Sequence, residues 1–214
     1  MAGKITALEA QKRARERVNV YIDGAFAFGL SLRVAASLRV GDELSDEAIA
    51  RLQAGDALER AHEAALTLLE GRPRSEAELR RHLRRKGFDE TVVDAVLERL
   101  RQVGLVDDLA FARFWSEQRQ QFHPQGWALL EAELRQQGVL DPIIAQVRSE
   151  YDEASALQAA AHAQARRLQH VPAPDFQKRL IARLLRRGFP YAAIRELLQD
   201  PAFAFPHLDE SEEL

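Results

Sequence analysis

Apolar residues recur along this chain at two different periods. Val18, Val20 and Ile22 alternate with Asn19, Tyr21 and Asp23, the period-two pattern of a half-buried strand. Asp23-Gly24 then supplies a dipeptide suited to a two-residue hairpin, and Ala25 to Leu30 is the returning strand. The stretch from Lys4 to Lys12 reads as a further strand, although Ala7, Leu8, Glu9, Ala10 and Gln11 are all good helix formers and serve equally as a helix start.

From Ser45 onward the period is helical. Ser45 can cap a helix whose first turn carries Asp46 and Glu47, charges that favour the positive end of the helix dipole. Further on, one pattern occurs three times: Leu79, Leu83 and Gly87; Leu130, Leu134 and Gly138; Leu180, Leu184 and Gly188. The glycines are 51 and 50 positions apart, and apolar residues return after each at matching offsets: Val92, Val93 and Val96; Ile143, Ile144 and Val147; Ala193, Ile194 and Leu197. Glycine adopts the left-handed conformation that ends a helix at no steric cost, so each marks a helix stop. Ser75 and Glu78 form a capping box, and Asp141-Pro142 places a cap followed by proline at the first helical position.

Each copy resolves into three helices, over 57–70, 76–86 and 90–102, then 108–122, 126–137 and 141–151, then 153–169, 175–187 and 190–199. The expected organisation is a mainly α fold of three tandem three-helix repeats, 57–107, 108–152 and 153–200. A small N-terminal antiparallel β-hairpin or sheet with a linking helix, 1–56, precedes them, and an acidic tail, 201–214, follows. Tandem helical units stack on their neighbours and build an extended surface rather than an enclosed pocket, a shape suited to a long partner.

Composition narrows the class. With 46% hydrophobic and 29% charged residues the chain is a folded domain rather than a disordered one. The absence of cysteine removes disulfides, thiolate nucleophiles and cysteine metal sites together. No apolar stretch reaches spanning length and the N-terminus has no apolar leader core, so the expectation is a cytoplasmic, monomeric protein that does not engage membrane.

The formal net charge of −3 conceals segregation. Residues 158–200 hold eight basic and three acidic groups, a balance of +5, whereas residues 108–157 hold four and eight, a balance of −4. Within the first copy Arg72, Arg74, Arg80, Arg81, Arg84, Arg85 and Lys86 face only Glu76 and Glu78. The equivalent helix of the third copy carries Lys178, Arg179, Arg183, Arg186 and Arg187. Such helices have a bland reading, a solvated face opposite the inward leucines. They also have a sharper one, a contact surface for phosphates or for an acidic protein, because the arginine fork engages both bidentately.

Catalytic chemistry finds little to stand on. There is no glycine-rich phosphate loop, no paired histidine metal motif and no nucleophile elbow, and His62, His82, His123, His162, His170 and His207 are scattered without ligand spacing. The expectation is a non-enzyme with no cofactor and no metal. Phe111, Phe114, Trp115 and Phe122 follow helical spacing and read as core, while Trp127, beside a proline and a glycine, reads either as a partner-facing anchor or as a tryptophan closing the core.

The residues of the first copy, Ser75, Glu78, Leu79, Arg80, Leu83, Lys86, Gly87 and Phe88 with Val92, Val93, Leu97 and Leu100, run on into Gly104-Leu105-Val106-Asp107-Asp108 and Phe111-Ala112. That pattern closely resembles the RecX family of regulators of the recombinase RecA. Ile5 to Glu9 and Val18 to Gly29 are similar to the N-terminal extension of its longer members, so the resemblance runs from about residue 4 to 200.

It implies a protein of three tandem three-helix units that binds along or within the groove of the RecA nucleoprotein filament and restrains its ATP hydrolysis, strand exchange and coprotease activities, in DNA repair, recombination and the SOS response. Weak single-stranded or duplex DNA binding is the accompanying expectation. Members commonly carry a basic stretch through the second copy, often ending in Lys-Gly. Here Gln136-Gln137-Gly138 stands instead, which leaves Trp127 and Arg135 as the contacts of that copy. Two other functions compete. One is a stand-alone helix-turn-helix regulator of duplex DNA, disfavoured because the helices after the turns open with Asp89-Glu90, Asp141-Pro142 and Pro190-Tyr191 rather than with base-reading side chains. The other is a helical-repeat scaffold with an unrelated protein target.

Overall fold

The computed structural model describes residues 2–11 and 16–200, with the side chains of 173 and 174 left aside, so the expected acidic tail lies outside the described residues. Three strands and a short fourth form an antiparallel sheet in the order β3-β2-β1-β4, where β1 is Gly3–Ala10, β2 Arg17–Ile22, β3 Ala25–Ser31 and β4 Glu43–Leu44. The ambiguous first segment is therefore a strand: pairing with β2 from Ile5↔Ile22 to Ala10↔Val18 overrides its helical propensity. Asp23 and Gly24 take positive φ, 49° and 84°, which both central residues of a type I′ hairpin require. Val18, Val20 and Ile22 point to the buried face as their alternation predicts.

That face packs on α1 (Leu32–Ala35) and on the first half of α2 (Asp46–Leu69). Ser45 caps α2 by accepting from the Ala48 amide at 3.2 Å. The helix expected over 57–70 is the second half of this single 24-residue helix, about 36 Å long at 1.5 Å per residue. Ala48, Ile49 and Leu52 belong to the sheet's core, and Ala61 and Ala65 to the core of the first three-helix copy. One rod thus serves both.

The remaining helices fall in three sets. The first copy closes with α3 (Glu76–Arg85) and α4 (Glu90–Gln102), the second comprises α5 (Asp108–Phe122), α6 (Trp127–Gln136) and α7 (Asp141–Glu150), and the third α8 (Glu153–Arg166), α9 (Ala173–Arg186) and α10 (Tyr191–Gln199). Each middle helix buries its leucine pair completely: Leu79 and Leu83, Leu130 and Leu134, Leu180 and Leu184 are all 0% exposed. Gly87, Gly138 and Gly188 have φ of 84°, 86° and 81° and end those helices as predicted.

Asp141 departs from expectation by one position. Leu140 occupies the cap, Asp141 opens the helix, and its carboxylate accepts from Arg135 rather than from a free backbone amide. Phe122, expected in the core with Phe111, is 59% exposed at the end of α5, whereas Phe111 is 1% exposed.

The chain forms two compact units. Among the described residues, one takes in the chain up to Arg74 with Glu78–Val106, and the other Ser75–Ala77 with residues 107–200. The second and third copies share one continuous core, in which Phe111, Trp127, Tyr151, Phe176 and Phe189 are the aromatic members.

Candidate functional site

The basic residues named from sequence separate into neutralised and unneutralised sets. On α3 the Leu79–Leu83 stripe turns inward, so the arginines are displayed on the remaining faces. Arg80 pairs with Glu90 and Asp94 across to α4, and Arg84 pairs with Glu90. Arg72 holds Glu78 through two bonds of 2.7 and 3.1 Å, and Arg74 adds a third at 3.4 Å. The exposed pairs among these, those of Arg80 and Arg84 with Glu90 and Asp94, contribute little to stability, about 0–1 kcal/mol each. Their larger effect is to lower the local potential. Arg81, Arg85 and Lys86 are exposed and have no carboxylate within ion-pair distance among the described residues. Burial, followed by the charges of Lys86, Arg85 and Arg74, lowers the pKa of His82, so the neighbourhood resists another proton.

In the third copy the picture is different. Its eight basic residues, Arg166, Arg167, Lys178, Arg179, Arg183, Arg186, Arg187 and Arg195, make no ion pair among the described residues. Lys178, Arg179 and Arg186 project from α9 into solvent. Arg183 donates instead to the Gln164 side-chain oxygen at 3.4 Å, and Arg187 to the Pro124 carbonyl at 2.9 Å. Burial lowers the Arg187 pKa, and the neighbouring charge of Arg167 lowers it further. Positive charge in excess of, and not ion-paired with, the neighbouring carboxylates suits a polyanion, because each phosphate contact releases a condensed counterion. Sequence reasoning named five of these residues and passed over Arg166, Arg167 and Arg195. The segment's balance of +5 was the signal that could have found them.

The second copy offers less. Arg135 is engaged by Glu131 at 2.6 Å and Asp141 at 3.0 Å. Trp127 is a core residue and not an outward anchor. It is 9% exposed, its ring lies 5.7 Å from that of Tyr151, and the Arg148 guanidinium sits 5.2 Å from its centroid. The cause is its place at the start of α6. There its amide donates to Glu153 at 2.8 Å, while Tyr151 closes the far side through a hydroxyl bond to the Gln125 carbonyl at 2.7 Å.

No group of three or more His, Asp or Glu side chains among the described residues is arranged to hold a metal ion. No helix among them is long and apolar enough to cross a membrane.

This arrangement of sheet, shared helix and three-helix copies matches known proteins along most of its length. Family models match in three places: the regulatory protein RecX N-terminal domain at residues 3–45, the RecX first three-helix domain at 61–100, and the RecX second three-helix domain at 107–147. A regulatory protein RecX of Geobacillus kaustophilus is 33% identical over 207 residues, spanning 92% of this chain and 77% of that protein. The chain belongs to the RecX family. Another member, from Amycolatopsis mediterranei, is 36% identical over 169 residues, 76% of this chain and 97% of its own length. A crystal structure of a regulatory protein RecX superposes with a TM-score of 0.69 at 26% identity, covering 94% of this chain and all of that one. The RecX structure from Lactobacillus salivarius, at 21% identity and a TM-score of 0.59 over 73% of this chain, shares the fold. The matched N-terminal domain corresponds to the sheet with its short α1, and the two matched three-helix domains to the first and second copies.

Proposed function

We propose that this RecX-family chain binds the RecA nucleoprotein filament and restrains it, lowering ATP hydrolysis, strand exchange and coprotease activity, and that it acts in the cytoplasm as a monomeric regulator rather than as an enzyme. In this reading the binding modules are the copies 57–107, 108–152 and 153–200. The observation that carries it, beside family membership, is the contrast in charge compensation. Among the described residues the third copy keeps eight basic residues without an ion pair, and the first keeps Arg81, Arg85 and Lys86 at the end of α3.

A nucleoprotein filament presents both kinds of target these groups fit, phosphates and carboxylates. The third copy, through Lys178, Arg179, Arg183, Arg186 and Arg187, is the polyanion-facing part. The paired arginines Arg72, Arg74, Arg80 and Arg84 serve to position α3, and Arg135 of the second copy stands at the margin. Bare DNA is bound weakly, since the overall charge is −3 and the second copy is acidic. Co-sedimentation of the chain with RecA filaments on single-stranded DNA tests this reading. Saturable co-sedimentation near one chain per few RecA protomers is expected. Absence of the chain from the pellet, with filaments confirmed present, would refute it.

A further inference from the structure

The second unit uses one docking contact twice. The C-terminal turn of α6 presents the Gln137 carbonyl, and Ser75 Oγ donates to it at 2.6 Å. The C-terminal turn of α9 presents the Arg187 carbonyl, and the Gly126 amide donates to it at 2.7 Å. In both cases the donor is the residue directly before a middle helix, since α3 begins at Glu76 and α6 at Trp127. A turn that stops one helix is thereby capped by the start of another. The covered turns are correspondingly half-buried at Gln137 and Gly138, and at Arg187 and Gly188.

The turn after α3 has the same local construction. Gly87 has the same φ, its amide donates to Arg84 at 2.9 Å, and Phe88 donates back to Leu83 at 3.3 Å, as Val139 does to Leu134 and Phe189 to Leu184. Yet Arg84, Arg85, Lys86 and Gly87 are all exposed, and the Lys86 carbonyl accepts no hydrogen bond among the described residues. A second copy of this chain cannot supply the missing donor from its third repeat, because the residue before α9 is Pro172, which has no N–H.

We infer that the Lys86–Gly87 turn is a docking site for the N-terminal turn of an α-helix on a partner protein, whose cap residue donates to the Lys86 carbonyl. That cap is serine or glycine like the two examples: serine reaches the carbonyl through its hydroxyl, as Ser75 does, whereas a backbone donor requires glycine, since a Cβ on Gly126 would fall 2.1 Å from the Gly188 oxygen. The first turn of the incoming helix is acidic, since carboxylates there satisfy its own dipole and meet the unpaired Arg81, Arg85 and Lys86. Identifying the carrier of that helix as the RecA filament rests on the function proposed above; the chemistry of the site does not.

Two measurements on the full chain separate the claims. In the first, a synthetic helical peptide opening Ser-Glu-Glu is titrated into isotope-labelled protein to millimolar concentration. Amide shifts concentrated at Arg85 to Phe88 are expected, and they are lost when the peptide opens Ser-Lys-Lys. No shift, or shifts concentrated on α9, would overturn the inference. In the second, Lys86→Trp, which blocks the turn, is compared with Lys86→Ala for association with RecA filaments on single-stranded DNA. The tryptophan variant should bind at least tenfold more weakly than the alanine variant. Equal affinity of the two would remove the turn from the filament contact. Failure of the unaltered chain to bind filaments, with the peptide shifts intact, would overturn the filament reading and leave the docking turn standing.

Discussion

Gly126 and Gly188 are packed backbone against backbone: a Cβ placed on Gly126 would lie 2.1 Å from the Gly188 oxygen and 2.3 Å from its carbonyl carbon. Neither obstacle is a side chain able to rotate away. The approach brings the Gly126 amide within 2.7 Å of the Arg187 carbonyl and aligns the start of α6 with the end of α9 inside one shared core. Gly126→Ala is therefore expected to destabilise the chain by about 1–3 kcal/mol, the usual range for forced overpacking. Gly71→Ala is the control, because a Cβ there meets nothing within 4 Å and φ is not positive. It should be neutral or stabilising by about 0.4–1 kcal/mol. Urea denaturation of the two variants checks the contrast.

Asp56 provides a second test, within the first unit. Its carboxylate is 7% exposed and accepts from Arg17 at 3.2 Å and from the Ser31 amide, so one side chain of α2 secures the end of β3 and its neighbour β2. Asp56→Ala leaves the Ser31 amide without its acceptor and the half-buried Arg17 guanidinium with only the Gly29 carbonyl, uncompensated in charge, and should cost about 3–5 kcal/mol. Asp56→Asn retains an acceptor but not the charge and should cost less. Equal stability of the alanine variant and the parent in urea would show that this pair does not secure the sheet.

High pH should weaken the second unit through Tyr151. Burial, with a smaller contribution from Glu153, pushes its pKa from 10 up to about 12. The native state therefore favours the neutral phenol. Its contribution is complete below pH 10 and is lost as pH rises from 10 through about 12. The loss is on the order of 2–3 kcal/mol. Stability measured between pH 9 and 12 should fall more steeply for the parent than for Tyr151→Phe, whose difference from the parent isolates this group from other titrations. Parallel profiles would contradict it.

Salt and the tail give a fourth prediction. The free chain should bind bare DNA with a shallow salt dependence, reporting a few phosphate contacts. If the acidic residues Asp209, Glu210, Glu212 and Glu213 compete for the same cations, truncation after His207 should raise affinity for bare DNA at low salt. Fluorescence anisotropy with a labelled oligonucleotide checks both. Tight, sequence-specific duplex binding by the full chain would favour the helix-turn-helix function instead.

What could be read from the sequence was what local chemistry determines. Leucines four apart followed by a glycine identify a helix face and its stop without reference to any distant residue, which is why the three copies and the positive φ at Gly87, Gly138 and Gly188 were legible. The Asp23-Gly24 hairpin was legible for the same reason. The continuity of α2 was not, because Gly55 and Asp56 resemble a break. A Cβ on Gly55 would only just touch Val34 at 4.0 Å, and Asp56 is spent on Arg17 and Ser31, partners far away in sequence. Nor could the sequence say which arginines are free. Arg80 and Arg81 are neighbours in sequence, yet only Arg80 reaches Glu90 and Asp94 on the next helix. The position of Trp127 was undecidable because it depends on Tyr151 and Arg148, brought to it by the fold.

The unneutralised cations can be tested by replacement. Changing Lys178, Arg179, Arg186 and Arg187 to glutamine, or Arg81, Arg85 and Lys86 to glutamine, should leave the melting temperature within a few degrees, because among the described residues only Arg187 of these side chains is hydrogen-bonded within the fold. Each set should weaken association with RecA filaments by tenfold or more. An unchanged affinity would assign that patch to solvation.

The most direct test of filament restraint is the steady-state rate of ATP hydrolysis by RecA on single-stranded DNA, measured with and without the chain at a stoichiometric ratio. The account predicts a slower rate that falls further as the chain is added, and a weaker effect for the third-copy glutamine variant. An unchanged rate at equimolar chain, with filaments verified in the same sample, would contradict it.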